Sequence, residues 1–432
     1  MSVNATIPPR SRERVAPLVA CSECDALYAM AALPEGAVAC CRRCGAVLYR
    51  GRRGTVERAR ALLAAALPLW AVANFLPFMT LDYEGREQGS TLLSGALALW
   101  QAGHGLLAAA VFLVMFLIPT VRLLAALWVL DPLARGRPRP ASARVFREVE
   151  RLHPWAMTEV YLLGVLVAWV KLRDLAEVHL GPALFAFVGV IVLLAAAEAV
   201  LEPLEVWQRL QPQARGDPGR LAASRNWSAC DACRQLVRLP STTPGVVLHC
   251  PRCEAVLHRR RPYAMARAWA LLVAATALYV PANLLPVMRV TWFGRGEPDT
   301  ILAGVRQLIE TGMWPLAALV FFASMVVPVL KILGLALLLL SVHLRSRLRP
   351  RERTRLYRVV EAVGRWSMID VFMIAILTAL VGVGQVASIE PGRGATAFAL
   401  VVILTMLASH SFDPRLIWDA VGTDHGRSPE RP

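Results

Sequence analysis

Enzymatic signatures are what this chain lacks most plainly. No G-x-x-x-x-G-K-[S/T] phosphate loop, no H-E-x-x-H helix and no G-x-S-x-G elbow occurs in its 432 residues. The usual ATPase and hydrolase machinery is absent, and the chain is not expected to be an enzyme. Gly103-x-Gly105-x-x-Ala108 superficially matches a dinucleotide loop, but no strand precedes it and it opens an apolar helix. Energy for any work must come from a partner, from proton movement or from the gradient of a cargo. A cleavable leader is not expected either, because the first long apolar run begins only near residue 61. That run would then serve as an uncleaved targeting signal.

Charge is scarce and unevenly placed. Charged side chains make up 18% of the chain against 56% hydrophobic, and long stretches carry none. Ala61 to Leu81 is uncharged and so is Ala268 to Met288, each long enough to cross a ~30 Å hydrocarbon layer as a helix. Gly105 to Leu130, Trp155 to Val178, Leu180 to Leu201, Thr311 to Leu340, Trp366 to Ile389 and Gly394 to Ser411 bring the expected spans to eight. Basic residues exceed acidic ones by 47 to 31, for a net charge of +16, and they cluster. Arg135, Arg137, Arg139, Arg144, Arg147 and Arg151 lie between spans two and three. Arg345, Arg347, Arg349, Arg351, Arg353, Arg355 and Arg358 lie between spans six and seven. The loop from Asp82 to Gly103 carries only Arg86. By the positive-inside rule, both termini and the arginine-rich loops are cytoplasmic. The basic excess is thus a topology signal, and without an aromatic-basic platform it does not point to nucleic acid. Anionic lipid head groups at the cytoplasmic surface are the secondary reading.

Nine cysteines occur, and none falls in an expected span. Eight form two sets of C-x2-C, sixteen residues and C-x2-C: Cys21, Cys24, Cys41, Cys44 and Cys230, Cys233, Cys250, Cys253. This spacing predicts two ribbons, each holding one tetrahedral metal ion between paired knuckles. So small a module cannot bury enough apolar surface to fold alone, so metal must supply the folding energy. Disulfides are the competing reading, disfavoured in a reducing cytoplasm. Zn2+ is the expected ion; iron, held by the same kind of knuckle, is the alternative. Cys40 has no counterpart, since His249 takes its place, and is read as a spare thiol or an alternate ligand.

A fixed offset links the two halves. Adding 209 takes the first cysteine set onto the second, Asn74, Pro77 and Met79 onto Asn283, Pro286 and Met288, and Pro119 and Arg122 onto Pro328 and Lys331. After a two-residue slip, Trp155, Met157 and Glu159 match Trp366, Met368 and Asp370. Each unit has an even number of spans, so the halves insert in the same orientation, as a parallel repeat. The expected fold is therefore an all-α polytopic membrane protein with eight transmembrane helices. They form two parallel four-helix repeats, each preceded by a cytoplasmic zinc ribbon. The segments are 1–58 (ribbon one), 59–207 (helical unit one), 208–262 (linker and ribbon two), 263–419 (helical unit two) and 420–432 (tail).

Ionisable groups inside spans are the default functional candidates. Lys331 in span six and Asp370 in span seven both fall in the cytoplasmic half, matched by Arg122 and Glu159 in the first unit. Two ion pairs are expected, Arg122 with Glu159 and Lys331 with Asp370. Ser324 shares a helical face with Lys331, Ser367 precedes Asp370 by three residues and Thr405 lies mid-span, so a hydrated cavity is expected in the second unit. Helix pinning and hydroxyls bonded to their own backbone are the plainer readings. Lys171 and Asp174, spaced i and i+3 near the outer end of span three, would mark a head-group or partner contact, or simply a solvated helix end. The Asn74-x-x-Pro77 and Asn283-x-x-Pro286 pairs are expected to kink their helices.

The order of ribbon, Asn-x-Leu-Pro after the first span, arginine-rich loop and closing Ser411-Phe412-Asp413-Pro414-Arg415-Leu416-Ile417-Trp418-Asp419 resembles the paraquat-inducible protein A family. The likeness runs from about Cys21 to Asp419. It implies a bacterial inner-membrane subunit that works with a periplasmic mammalian-cell-entry (MCE) domain protein to move phospholipids between membranes. The first unit ends Leu201-Glu202-Pro203-Leu204-Glu205 and lacks the closing motif, so the halves have diverged. Two other functions stay open on the residues alone. One is a membrane redox protein with iron ribbons and a quinone near Trp70 or Trp269; the other is a proton-coupled exporter of small toxic compounds.

Overall fold

The computed structural model describes residues 17–83, 86–172, 177–211, 227–238, 248–292, 298–380 and 387–421. Helices dominate. In chain order they are α1 (Thr55–Phe75), α2 (Ser94–Gln101), α3 (Gly105–Ala134), α4 (Ser142–Leu152), α5 (Thr158–Leu172), α6 (Pro182–Val200), α7 (Pro203–Leu210), α8 (Ala264–Leu284), α9 (Ile301–Glu310), α10 (Trp314–His343), α11 (Pro350–Val363), α12 (Ile369–Leu380), α13 (Arg393–Ser411) and α14 (Leu416–Asp419). Among the described residues, six helical stretches are long and apolar enough to cross a membrane: α3, α6, α8, α10, α13 and the run Pro350–Leu380. That run joins α11 to α12 through a 3-10 turn at Gly364–Met368. The two remaining expected spans are helical but differ in kind. α1 has 21 residues with Glu57, Arg58 and Arg60 near its start, and α5 has 15.

Packing follows the offset seen in the sequence. α1 lies along α6 and α8 along α13, while α5 packs on α12 between the halves. At that junction Gly164 brings α5 close to α12: a Cβ there would sit 3.0 Å from the Cβ of Phe372. Tyr161 and Phe372 stack edge-on beside it, with ring centroids 5.6 Å apart. α3 and α10 each contain one turn of π-helix, at Leu113–Leu117 and Phe322–Val326. Each ends just before a proline, Pro119 or Pro328. A proline inside a helix removes one donor and crowds the carbonyl four residues back, which for Pro328 is that of Ser324. Widening to a π turn relieves both.

The all-α expectation needs amending. The segments that follow α1 and α8 do not stay helical to Leu81 and Met288; they enter small antiparallel sheets. β5 (Met79–Tyr83) pairs with β6 (Arg86–Ser90) and β7 (Glu177–Leu180), with Met79 opposite both Ser90 and Leu180. β10 (Met288–Trp292) pairs with β11 (Pro298–Asp299) and β12 (Ala387–Pro391). Pro77 and Pro286 are therefore terminators, not kinks: the helices stop at Phe75 and Leu284 because the residue before a proline avoids helical torsions. The Asn74 and Asn283 amides turn back to donate to the Trp70 and Tyr279 carbonyls, at 2.6 and 2.8 Å. Gly181 and Gly392 pass so close to the turn that a Cβ would lie 2.1 Å from the carbonyl oxygen of Pro77 or Pro286. Backbone cannot yield as a side-chain tip can. Gly392→Ala should therefore destabilise the protein by about 1–3 kcal/mol, read as a lower melting temperature in detergent.

The short hairpins of the ribbons are β1 (Leu18–Ala20) with β2 (Leu27–Ala29), β3 (Val38–Cys40) with β4 (Val47–Arg50), and β8 (Trp227–Ala229) with β9 (Leu236–Arg238). Each ribbon reaches across to the opposite half of the chain as well as touching its own. In the second ribbon, the Cys253 carbonyl accepts from Arg147 of α4 at 2.7 Å, and Glu254 pairs with Arg144 at 2.6 Å. In the first, the Cys44 carbonyl accepts from Arg358 of α11 at 3.0 Å, and the Arg42 and Arg43 carbonyls accept from Arg351. Arg358 also forks onto Glu23, 2.6 Å away. The ribbons touch each other through Leu18 and Ala20 against Ala229 and Leu236.

Candidate functional site

Four knuckles build the two cysteine centres by one local device. The amide of the first cysteine in each pair donates to the carbonyl five residues on: Cys21 to Ala26, Cys41 to Ala46, Cys230 to Gln235 and Cys250 to Ala255. The residue after the second cysteine is left-handed in every case, at Asp25, Gly45, Arg234 and Glu254. This turn aims both thiols to one side. In each set the four sulfurs lie within 4.8 Å of one another and are buried. The closest pairs are Cys21 with Cys44 at 3.4 Å, and Cys24 with Cys41, Cys230 with Cys253 and Cys233 with Cys250 at 3.5 Å. A disulfide needs ~2.05 Å, so all eight are free thiols. A tetrahedral ion with ~2.3 Å bonds to sulfur sets S···S edges near ~3.8 Å, which these clusters match with little movement. The sulfurs already divide protons between them. Hydrogen bonds from Cys21 and Cys24 push the Cys41 and Cys44 thiols down, while contacts with Cys21 first, then Cys41 and Cys44, push Cys24 up. Two buried four-thiol groups can thus each hold a metal ion. Cys40 is exposed outside the first cluster, and the His249 imidazole instead contacts the Glu254 carbonyl at 3.1 Å.

One guanidinium joins both centres to the tail. Arg415, 4% exposed, forks onto Asp413 at 2.9 and 2.8 Å and pairs with Asp231 of the second ribbon at 2.9 Å. Its other nitrogen lies 3.8 Å from Asp25 of the first ribbon. Arg260 closes the ring, pairing with Asp25 and, at 2.6 Å, with Asp419. Burial alone would raise the Asp413 carboxyl, but Arg415 wins and holds it below the usual range. At the matching position of the first half stands Leu204, so this clamp exists once.

The polar candidates of the second half are all buried: Ser324, Lys331, Ser367, Asp370 and Thr405. Ser324 lies in the π turn of α10, Lys331 one turn beyond Pro328, and Ser367 in the 3-10 turn packed against both. Lys331, 2% exposed, makes no hydrogen bond or ion pair among the described residues, and neither hydroxyl of Ser324 or Ser367 has a partner. The expected Lys331–Asp370 ion pair is therefore not formed. Gly364 explains where the lysine goes: a Cβ on that glycine would lie 2.7 Å from Nζ, so the side chain lies across it. Thr405 follows the plain reading, donating to the Val402 carbonyl of its own helix at 2.9 Å.

In the first half the expected Arg122–Glu159 pair gives way to another. Arg122 pairs with Glu198 of α6 at 2.6 Å, and His153 Nδ1 lies 3.4 Å from the same carboxylate. Glu159 is exposed but lines the same cavity of about 60 Å³. The signal for Glu198 was in the sequence: it is the single charge in the run from Leu180 to Leu201. Lys171 is the penultimate residue of α5; its side chain and Asp174 lie outside the described residues.

Comparison with known proteins fits this architecture. The family model described as "Paraquat-inducible protein A" matches twice, over residues 56–211 and 265–422. The chain is 36% identical to the "Intermembrane transport protein PqiA" of Escherichia coli K12 over 406 residues, 93% of this chain and 95% of that one. It is 32% identical to the "Lipophilic envelope-spanning tunnel protein A" of the same strain, covering 94% and 92%. A "Probable intermembrane transport protein" of Haemophilus influenzae is 29% identical, covering 93% and 95%. No solved structure matches. With the family model matching both halves and relatives matching end to end, the chain belongs to the paraquat-inducible protein A family.

Proposed function

We propose that this protein is the inner-membrane subunit of an MCE-type phospholipid transport system, passing lipid to or from a periplasmic MCE-domain partner. It would cross the membrane eight times as two parallel units, with the ribbons, each holding structural zinc, on the cytoplasmic side with both termini. The double family match supports the repeat, and relatives named for intermembrane transport support the role. The chain breaks no bond in this reading; it offers lipid a polar station inside an apolar protein.

The observation that carries the reading is the buried Lys331 amine with the unsatisfied Ser324 and Ser367 hydroxyls. An uncompensated buried charge costs several kcal/mol, so such a group is tolerable where an anion comes to meet it. A phosphodiester supplies the charge and several acceptors at once. Asp370 and Lys331 would then tune how tightly the head group is held.

Mass spectrometry of lipid co-purifying with the detergent-solubilised chain tests this. Enriched phospholipid should fall at least about tenfold in a folded Lys331→Ala, Asp370→Ala double variant, the equivalent of one lost charge-assisted contact. Gly364→Ala should act in the same direction by displacing the amine without removing it. Background lipid in the wild type would sink the proposal. An iron–thiolate absorption band in that sample would point to redox chemistry instead.

A further inference from the structure

We propose that the cavity at the inner end of the first half is a proton-binding site, in which the Glu150 carboxylate takes a proton from cytoplasmic water and becomes a neutral acid. This inference is independent of the lipid reading, because it concerns different residues in the other half.

The cavity is lined by charged groups from four segments: Arg122 of α3, Glu150 of α4 with His153 just after it, Glu159 of α5 and Glu198 of α6. Within this cavity three carboxylates face one guanidinium and one imidazole, while Glu150, half-buried, also lines a neighbouring cleft with Glu148, Arg147, Arg151 and Arg234. Arg122 is committed to Glu198, and His153 faces that same carboxylate. Glu150 is left over: among the described residues no cation lies within ion-pair distance of it. Arg122, His153 and Arg234 of the second ribbon act on it from further away, opposed by Glu198. Burial is the largest influence and moves the Glu150 carboxyl upward from its ordinary value. A volume of about 60 Å³ leaves room for water to carry the proton in.

The second half shows what the same scaffold does without this arrangement. With the offset of 211, Glu198 becomes Ser409, His153 becomes Gly364 and Glu150 becomes Glu361. Glu361 lies 3.9 Å from His410, whose match in the first half is Ala199. One unit thus presents a cation lacking an anion, and the other a carboxylate lacking a cation.

Thermal unfolding of the full-length protein across pH, wild type against Glu150→Gln, tests the assignment. A carboxyl raised in the folded state stabilises while protonated, and that stability is lost as pH rises from its unfolded value through its folded one. Relative to Glu150→Gln, the wild-type melting temperature should fall across a window that opens near the ordinary value of 4.5. Coincident profiles would overturn the proposal. Stabilisation of the wild type by sodium, and not potassium, at the alkaline end would also overturn it, in favour of a metal cation. Infrared difference spectra give a second reading that does not depend on variant stability. A protonated-carboxyl stretch that bleaches as wild-type protein is titrated upward is expected, and its absence would count against the site.

Discussion

Cys233→Ser should cut bound metal from two ions per chain to one, and its loosening should reach the opposite half of the protein. The second ribbon seats its Cys253 carbonyl and Glu254 carboxylate on Arg147 and Arg144 of α4, in the first half. A structural four-thiolate site supplies on the order of 10 kcal/mol of folding free energy to a module this small. Its loss unfolds the ribbon outright and strips α4 of its cover. Hydrogen exchange should therefore rise in Ser142–Leu152, while Pro350–Val363 stays protected. Cys24→Ser should give the mirror image, exposing α11, and Cys40→Ser should change neither metal content nor exchange. Unchanged metal content in Cys233→Ser would sink the metal reading. Faster exchange confined to the variant's own half would sink the crossed docking instead.

Arg415→Met should cost about 3–5 kcal/mol, one of the largest effects expected of a single substitution outside the helices, because the guanidinium is buried. It leaves Asp413 buried and unpaired with Asp231 and Asp25 close by, all three sharing the lost guanidinium. Adding Asp413→Asn should recover much of the loss, because the stranded charge is what hurts. The pH dependence reports the same contact with a definite sign. Arg415 holds the Asp413 carboxyl below its ordinary 3.8, so its stabilisation is present above that value and disappears as pH falls through the lower, folded one. In Arg415→Met burial is opposed only by the backbone amides of residues 261 and 415, so the acid-dependent loss at this site should shrink. Chemical denaturation of both proteins at two pH values measures it, and parallel acid responses would remove Arg415 from the role.

The cysteine centres were legible in the sequence because their geometry is local: four residues of spacing and one hydrogen bond set each knuckle. The membrane helices were legible for a similar reason, since an uncharged run needs no distant partner to be recognised. Pairings were not. Met79 meets Leu180 and Met288 meets Pro391 across roughly a hundred residues, through strands too short to show alternation. Arg122 could be seen to need an acid, but the choice of Glu198 over Glu159 depends on α6 lying alongside, which spacing alone does not reveal. The arginine clusters were read as topology signals, and topology hid their second use: Arg147, Arg351 and Arg358 are also the hands that grip the ribbons. Arg415 stood in the closing motif, but nothing in the motif says that three aspartates converge on it.

The crossed docking also sets a timetable for synthesis. The first ribbon leaves the ribosome before either set of helices, yet its seat on Arg351 and Arg358 is made about three hundred residues later. At ~5–20 residues per second it waits roughly 15–60 s without that seat. The second ribbon has no such delay, because α4 precedes it. Arg415 arrives last of all and reaches both ribbons at once. The closing motif is therefore positioned as a latch, joining two ribbons that can be secured together only after the helices between them have been made.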